Sequence, residues 1–414
     1  MSTDQLQSAF RSCRNPTVLH ERNLPMHISP ALRDTLAPPV MQARRWLEGV
    51  NFSPEMPLLN LSQAAPVLPP PEELRAAMAE MLHDPATHLY GPVLGLPELR
   101  DALALRMSAL YDGEVSGAQV AITSGCNQAF CAAVSSLASA GDNIILPVPW
   151  YFNHAMWLQM QGIAPLPLPC ESNLLPDPDR AAHLITPRTR AIVLVTPNNP
   201  TGVEYPPELL CAFRDLAKRN NIALIVDETY RDFHSVSSAP HSLFTDPDWD
   251  DVLIHLYSFS KAYRLTGHRV GAIATCEARL RQIEKFLDTV AICPTGLGQR
   301  AALWGLSNLD GWLAQERAEI LHRRAVLQSV FAQLPGWKLR GSGAYFGYVA
   351  HPFASGAEAL ARSLVTQAAI LVLPGTMFGP PSYHDGAQHL RIAFANADSS
   401  GLEELTRRLA KLDR

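Results

Sequence analysis

The sequence predicts an α/β protein with a large domain, built on a mostly parallel sheet covered by helices, and a smaller α+β domain after it. Three observations predict this. Between residues 119 and 275 short β-branched runs alternate with helical segments, the pattern of a parallel sheet covered on both faces. Past Gly296 that alternation gives way to long helical stretches and then to late strands. At 414 residues, 47% hydrophobic and 18% charged, the chain is long enough to bury a large core and divide into two packed domains.

Taken in order, residues 1–65 hold one helical stretch, 37–49, in otherwise irregular sequence, and are expected to fold onto the smaller domain. The run 66–71 (PVLPPP) reads as a stiff connection into the large domain, placed at 66–305. Its candidate strands are 119–123, 143–146, 191–195, 222–226, 252–257 and 270–274. Between them, 206–219 repeats Leu209, Leu210, Phe213, Leu216 and Ala217 at helical spacing, and Pro206 and Pro207 suit a first turn. Helical segments at 296–306 and 309–333 lead into the smaller domain, placed at 306–414, with strands near 345–350, 370–373 and 389–394 and a closing helix near 399–412. No internal repeat is present.

Composition narrows the function. A formal charge of -5, with Lys and Arg scattered, leaves no basic excess for nucleic-acid phosphates. The longest apolar runs are far shorter than the roughly 20 residues of a membrane-spanning helix. Residues 1–23 mix Asp4, Arg11, Arg14 and Glu21 without an apolar run, unlike a secretory signal. Seven cysteines, odd in number and without paired ligand spacing, suit reduced thiols rather than disulfides or a metal site. A cytoplasmic protein without a metal is expected.

In open parallel sheets ligands bind beyond the carboxyl ends of the strands, so polar residues that follow apolar runs are where chemistry is sought. Lys261 follows the run 252–257, with Ser258 and Ser260 before it and Arg264 and Arg269 after it. Nearby positive charge lowers a lysine pKa and suits imine chemistry, and Ser258 with Arg269 suits a bound phosphate. Alone, Lys261 reads equally as a surface lysine in a polar loop. Asp227 closes the run 222–226 and suits holding a heteroaromatic ring nitrogen protonated, or simply capping a turn. Glu228 is adjacent but faces the other way along a strand, which makes the two a poor acid/base pair. Asn199, in a Pro- and Gly-fixed turn after 191–195, suits a phenolic oxygen. Gly125, Cys126 and Asn127 connect a strand to a helix whose first amides suit a phosphate, although generic turns look similar.

In this order the Asn199-Pro200-Thr201-Gly202 run, Asp227 with Tyr230, the Ser258-Phe259-Ser260-Lys261 run, Arg269-Val270-Gly271 and the late Arg391 resemble the aspartate aminotransferase family of fold-type I pyridoxal phosphate enzymes, class I/II. The resemblance spans roughly residues 61–394. It implies an aminotransferase with ping-pong kinetics that moves an amino group from an L-amino acid to a 2-oxo acid. By the same resemblance Lys261 forms the Schiff base with pyridoxal 5'-phosphate and shuttles the α-proton. Asp227 pairs with the pyridine nitrogen, and Asn199 and Tyr230 hydrogen-bond the phenolic oxygen. Ser258, Arg269 and the residues Gly125, Cys126 and Asn127 hold the phosphate, Tyr151 stacks on the ring, and Arg391 clamps the substrate carboxylate. Tyr90 matches a tyrosine that reaches the partner subunit's phosphate site, which implies a homodimer. Ala64 stands where family members often carry glycine near the substrate carboxylate, and this departure bears on substrate choice.

Two alternatives accompany the aminotransferase. A pyridoxal phosphate-dependent carbon–sulfur β-lyase uses the same lysine and aspartate. A non-enzymatic regulator ordinarily carries an added DNA-binding module, and the first sixty residues show no basic helix-turn-helix pattern. Tyr345 and Phe346, with Tyr151 and the N-terminal segment, are expected to line an apolar side-chain pocket, and no clear second arginine for a dicarboxylate is evident, which leans toward neutral or aromatic substrates.

Overall fold

The computed structural model describes residues 26–412. Residues up to Thr35 form a unit of their own, whose described part carries the short helix Pro30–Arg33, with proline in its first turn where no amide is missed. The second unit begins at Leu36 and holds all the described strands: β1 (Leu59–Asn60), β2 (Val120–Thr123), β3 (Asn143–Val148), β4 (Ala164–Pro169), β5 (Thr189–Val195), β6 (Ala223–Asp227), β7 (Leu253–Ser258), β8 (Gly271–Ala274), β9 (Lys338–Gly343), β10 (Phe346–Ala350), β11 (Ile370–Leu371), β12 (Leu373–Pro374) and β13 (His389–Ile392).

Seven strands form the large sheet in the order β2-β8-β7-β6-β5-β3-β4, in which only β8 runs against its neighbours. The inner strands are buried along nearly their whole length because helices cover both faces. Alternate side chains feed two cores. Ile192 and Leu194 join Tyr111, Phe213, Phe244 and Tyr257 on one face, whereas Ala191 and Val193 join Phe130, Leu158 and Leu280 on the other. The helix Pro207–Arg219 turns its stripe of Leu210, Phe213, Leu216 and Ala217 inward, as its spacing predicts. Each large apolar side chain buried in this way contributes roughly 1.5–3 kcal/mol.

The six predicted strands of this sheet are present, displaced by a residue or two. A seventh, β4, was not foreseen. Its sequence APLPLP carries proline at every second position, which argues against a strand, but β4 lies at the sheet edge, where one row of amides needs no partner.

The smaller sheet is antiparallel, β12-β13-β10-β9, and has its own core of Phe331, Phe346, Val349, Leu364, Leu390 and Phe394 beneath the helices Asp310–Ala332, Ala357–Ala368 and Ser399–Leu409. The strand expected at 370–373 is two short pieces separated by Val372. β9 was also missed, since KLRGSG is polar and glycine-rich and its outer half alternates exposed and partly covered residues. β1 pairs in parallel with β11, and Leu61 bonds Leu371 and Ala393 through its backbone, so the segment that follows is fixed against this sheet. Among the described residues no helix is long and apolar enough to cross a membrane. No cluster of three or more His, Cys, Asp or Glu among them has the arrangement of a metal site.

Candidate active site

β2, β5, β6 and β7 point the same way, so their carboxyl ends open onto one cavity of about 420 Å³, within the range of about 300–1,000 Å³ usual for small-molecule sites. Asp227 is the last residue of β6 and is 4% exposed. Its Oδ1 accepts from the Thr229 amide at 3.0 Å and the Thr229 hydroxyl at 2.7 Å, and the Cys126 thiol lies 3.6 Å away. Its Oδ2 faces His154 Nε2 at 3.3 Å. Burial alone would push the Asp227 carboxyl up, but the His154 hydrogen bond and charge and the Thr229 donors outweigh it and hold the group ionised, below the usual aspartate range.

Lys261 lies in the short helix Phe259–Ala262 directly after β7, and its Nζ donates to the Ala64 carbonyl at 2.8 Å. Burial, then the positive charges of Arg269 and Arg391, push its pKa down to about 8. Arg391 comes from β13 of the smaller sheet, is 2% exposed, and sits about equally between the rings of Phe346 and Phe378. Its Nη1 donates to Asn199 Oδ1 at 2.9 Å and its Nη2 to the Ser62 carbonyl. Burial lowers even this guanidinium to about 10, against the opposing influence of Tyr230 and Tyr151.

At the far end Gly125 adopts φ +88°, and a Cβ there would fall 2.2 Å from Arg269 Nη2. A Cβ on Gly271 would fall 2.6 Å from the Cys126 amide nitrogen. Two glycines therefore keep open a concavity between the start of helix Cys126–Ser135 and Arg269. Ser258 lines it as well. On one wall the Tyr151 hydroxyl donates to Asn127 Oδ1 at 3.3 Å and accepts from Asn153 at 2.9 Å, and burial raises its pKa to about 12. Tyr230 packs on Phe346 and Tyr345 with its ring still facing the cavity, and burial raises its hydroxyl well above the usual range.

The cavity thus brings together Ala64, Cys126, Asn127, Tyr151, Asn199, Asp227, Tyr230, Ser258, Lys261, Arg269 and Arg391, and Gly125 borders it. Tyr90 is elsewhere, 80% exposed on the surface. Tyr345 and Phe346 do not line the cavity. They are buried in the smaller core, Tyr345 between Tyr230 and Phe233, because the β9–β10 turn folds them inward. Sequence reading missed His154, stacked on Phe130 at 3.9 Å between ring centres, and Thr229, Ser260 and Asn153. The one available signal was that His154 follows Tyr151 by three residues, on the same face of helix Phe152–Met160. It also missed Arg44, a third arginine at the cavity wall beside Arg269 and Arg391.

A buried carboxylate, a lysine of lowered pKa and an anion cradle at the start of a helix fit pyridoxal phosphate by ring, aldehyde and phosphate. Residues 57–409 match the family model for class I and II aminotransferases. An aromatic aminotransferase of Arabidopsis thaliana is 30% identical over 383 residues, 90% of this chain and 91% of that protein. An aspartate aminotransferase of Pyrococcus horikoshii is 28% identical over 359 residues, 84% of this chain and 89% of that one. The structure of the Thermus thermophilus aspartate aminotransferase with maleate superposes with a TM-score of 0.84 at 25% identity, covering 93% of this chain and 99% of that one. With matches that span nearly the whole chain, the chain belongs to the class I and II aminotransferases, pyridoxal phosphate enzymes of fold type I.

Proposed function

We propose that this aminotransferase works through Lys261, with Arg391 and Asp227 set around it in one cavity, and that its substrates are an L-amino acid and a 2-oxo acid taken in turn. The observation that carries the assignment is a lysine of pKa about 8 facing the same buried space as a carboxylate and a clamping arginine. When bound, pyridoxal phosphate supplies a carbonyl for the amine to condense with and a cationic ring that takes up the electron pair left at the α-carbon.

The chain's own groups do the rest. Arg391 binds the α-carboxylate by a two-pronged contact and so fixes which bond at the α-carbon is presented. Lys261, with a pKa near neutrality, is neutral often enough to take the α-proton and is acidic enough to return it. Asp227 keeps a proton on the ring nitrogen, and its own negative charge is secured by His154 and Thr229. Asn199 and Tyr230 hydrogen-bond the phenolic oxygen, and Tyr151 stacks on the ring. Ser258, Arg269, Gly125 and the amides of Cys126 and Asn127 hold the phosphate. Ala64 places its carbonyl on Lys261, so its backbone also bears on the entering carboxylate.

Three coarser features go with this reading. A large domain at 66–305, a small one at 306–414 and an N-terminal segment to residue 65 are supported by the two sheets with separate cores and by the pairing of β1 with β11. A homodimer in which Tyr90 reaches the partner's phosphate site is supported by the exposure of Tyr90 and Leu89. A cytoplasmic location is supported by the unpaired state of the described cysteines. The relatives are named as aminotransferases, which does not favour the β-lyase alternative.

The test mixes the cofactor-loaded enzyme with single amino acids and follows the visible band of the bound cofactor together with release of the 2-oxo acid. Band loss with stoichiometric oxo acid and no ammonia is expected. Lys261→Ala should hold the cofactor without a covalent bond and lose turnover by orders of magnitude, because imine exchange and proton transfer are both removed. Near-normal turnover in that variant overturns the assignment.

A further inference from the structure

Residues 64–71, AAPVLPPP, carry four prolines and so lack four of the amides a chain normally offers. Such a segment cannot fasten itself with its own hydrogen bonds. Burial does not fasten it either, since Val67 and Leu68 are 67% and 56% exposed. Among the described residues two side chains reach the carbonyls of 64–69. Lys261 Nζ donates to Ala64 at 2.8 Å, and Arg264 Nη1 donates to Pro69 at 3.2 Å. Both donors stand three residues apart on the stretch that follows β7.

The two contacts differ in permanence. On the site assignment above, Lys261 binds the cofactor and then moves the α-proton, so its hold on Ala64 is released during the reaction. Arg264 takes no part in that chemistry and is itself held. Its Nε and Nη2 donate to Glu316 Oε2 at 3.0 and 2.5 Å, and its guanidinium lies 5.3 Å from the centre of the Trp312 ring. The side chains of the pair are only 17% and 22% exposed. Glu316 lies on the helix Asp310–Ala332, between Leu313 of the larger core and Ile320 of the smaller. The anchor of Arg264 is therefore a helix packed into both cores.

The backbone of Arg264 adopts φ +54°, a left-handed conformation that glycine or asparagine takes more readily than arginine. Backbone preference does not favour arginine here, whereas the contacts of its guanidinium do. The tethered segment also continues from Ser62, whose carbonyl accepts from Arg391.

We propose that Arg264 is a positioning residue: gripped by Glu316, it keeps residues 64–69 seated against the Lys261 stretch while Lys261 has let go of Ala64. The inference rests on the assignment of Lys261 made above. One of the two tethers is engaged at every stage, so the Ala64 carbonyl stays in place for Lys261 to return to. Without Arg264, release of Lys261 frees the segment.

The test is hydrogen–deuterium exchange at the amides of residues 60–68, read by mass spectrometry. The wild type and Arg264→Asn are compared with cofactor bound, and both are compared without cofactor alongside Lys261→Ala and the double variant. Asparagine suits the left-handed backbone, so the substitution removes the guanidinium and little else. The loaded Arg264→Asn enzyme and the cofactor-free double variant should exchange about tenfold faster than wild type, the worth of one charged hydrogen bond. Each single variant without cofactor should stay close to wild type, because one tether remains. Glu316→Gln should act in the same direction by less, and Arg264→Lys should restore part of the protection. Arg281→Gln, from an exposed pair on another helix, should change nothing. In turnover Arg264→Asn should lower kcat by about tenfold through misplacement of Lys261, with the KM for the amino acid nearly kept because Arg391 retains Asn199. A double variant that exchanges like wild type overturns the proposal, as does an Arg264→Asn chain that loosens equally with and without the Lys261 contact. Whether Lys261 carries the cofactor is read separately, from the mass of its peptide after borohydride reduction of the loaded enzyme. An unlabelled Lys261 overturns the site assignment and the role of Arg264 in turnover, whereas the cofactor-free proteins decide the tether by themselves.

Discussion

Asp227 and Glu228 are neighbours at the end of β6, both buried carboxylates with imidazole partners, yet they belong to different regions of the molecule. Asp227 looks into the cavity. Glu228 points through the other face of the sheet into the core, where its Oε2 accepts from the Tyr111 hydroxyl, from His255 at 2.7 Å and from His241 at 3.1 Å. Tyr111 stacks on His241 at 4.7 Å, and the Arg231 guanidinium lies 3.8 Å over the Tyr257 ring nearby. Burial opposes ionisation of Glu228, but the two histidines outweigh it and hold its pKa well below the usual range. Both carboxylates are therefore held charged, although the donors to Glu228 all gather on Oε2 and its buried Oε1 has no hydrogen-bond partner among the described residues. What separates them is the open space ahead of Asp227, and a perturbed pKa marks a working group only where such space exists.

The largest expected effect is on the cavity side. Asp227→Ala removes the charge that keeps the ring nitrogen protonated, and kcat should fall by roughly 10²–10³-fold, the usual loss for one fixed electrostatic group. Chemical unfolding should move little, because His154 keeps its stacking on Phe130 and Thr229 stays in place. Glu228→Ala should do the reverse. It strands two imidazoles and a phenol in the core and should cost about 3–5 kcal/mol of stability, while the folded fraction keeps most of its turnover. If Glu228→Ala lost turnover as heavily as Asp227→Ala at unchanged stability, the contrast between the two faces would fail.

A smaller effect comes through pH. Glu228 is depressed in the folded state, so its contribution is present above the ordinary glutamate value of about 4.3 and is lost as pH falls below it. His255 is also depressed, by burial, although Glu228 opposes the shift. The unfolded chain takes up that proton near pH 6.5 while the folded one resists, so this contribution is full above about 6.5 and declines below it. Stability should therefore rise with pH up to about 4.3 through Glu228 and further, toward about 6.5, through His255, by at most about 1.4 kcal/mol per pH unit for each group. His255→Gln should flatten the upper part of that rise in urea titrations at fixed pH, and an unchanged slope would remove His255 from the account.

Much of the cavity side was legible because parallel strands gather their carboxyl ends, and Asn199, Asp227 and Lys261 each follow an apolar run. The pleat also told Glu228 apart from Asp227. Other features depend on tertiary placement that no local pattern carries. His154 reaches Asp227 only because its helix packs on β4 and on the helix Cys126–Ser135, and Arg44 reaches the cavity wall from the helix Pro39–Arg45, which packs on β12. β4 was hidden by prolines that only an edge position excuses. Tyr345 and Phe346 looked like pocket walls because aromatic residues serve both pockets and cores, and the smaller core claimed them.

His154 gives the smallest expected effect and the finest test of the comparison. Glu228 depends on three buried donors gathered on Oε2, whereas Asp227 has donors to spare, since the Thr229 amide and hydroxyl both bind Oδ1. His154→Phe keeps an aromatic ring against Phe130 and removes only the contact to Oδ2. The Asp227 carboxyl should then rise toward its ordinary range without becoming neutral at pH 7, because two donors remain. Turnover should fall by about tenfold or less, the worth of one hydrogen bond to a charged group at the low end of its range. Its acid limb should also shift to higher pH. A loss as large as that of Asp227→Ala would mean that His154, rather than Thr229, is what keeps Asp227 charged, and the two faces of β6 would then rely on histidine to the same degree.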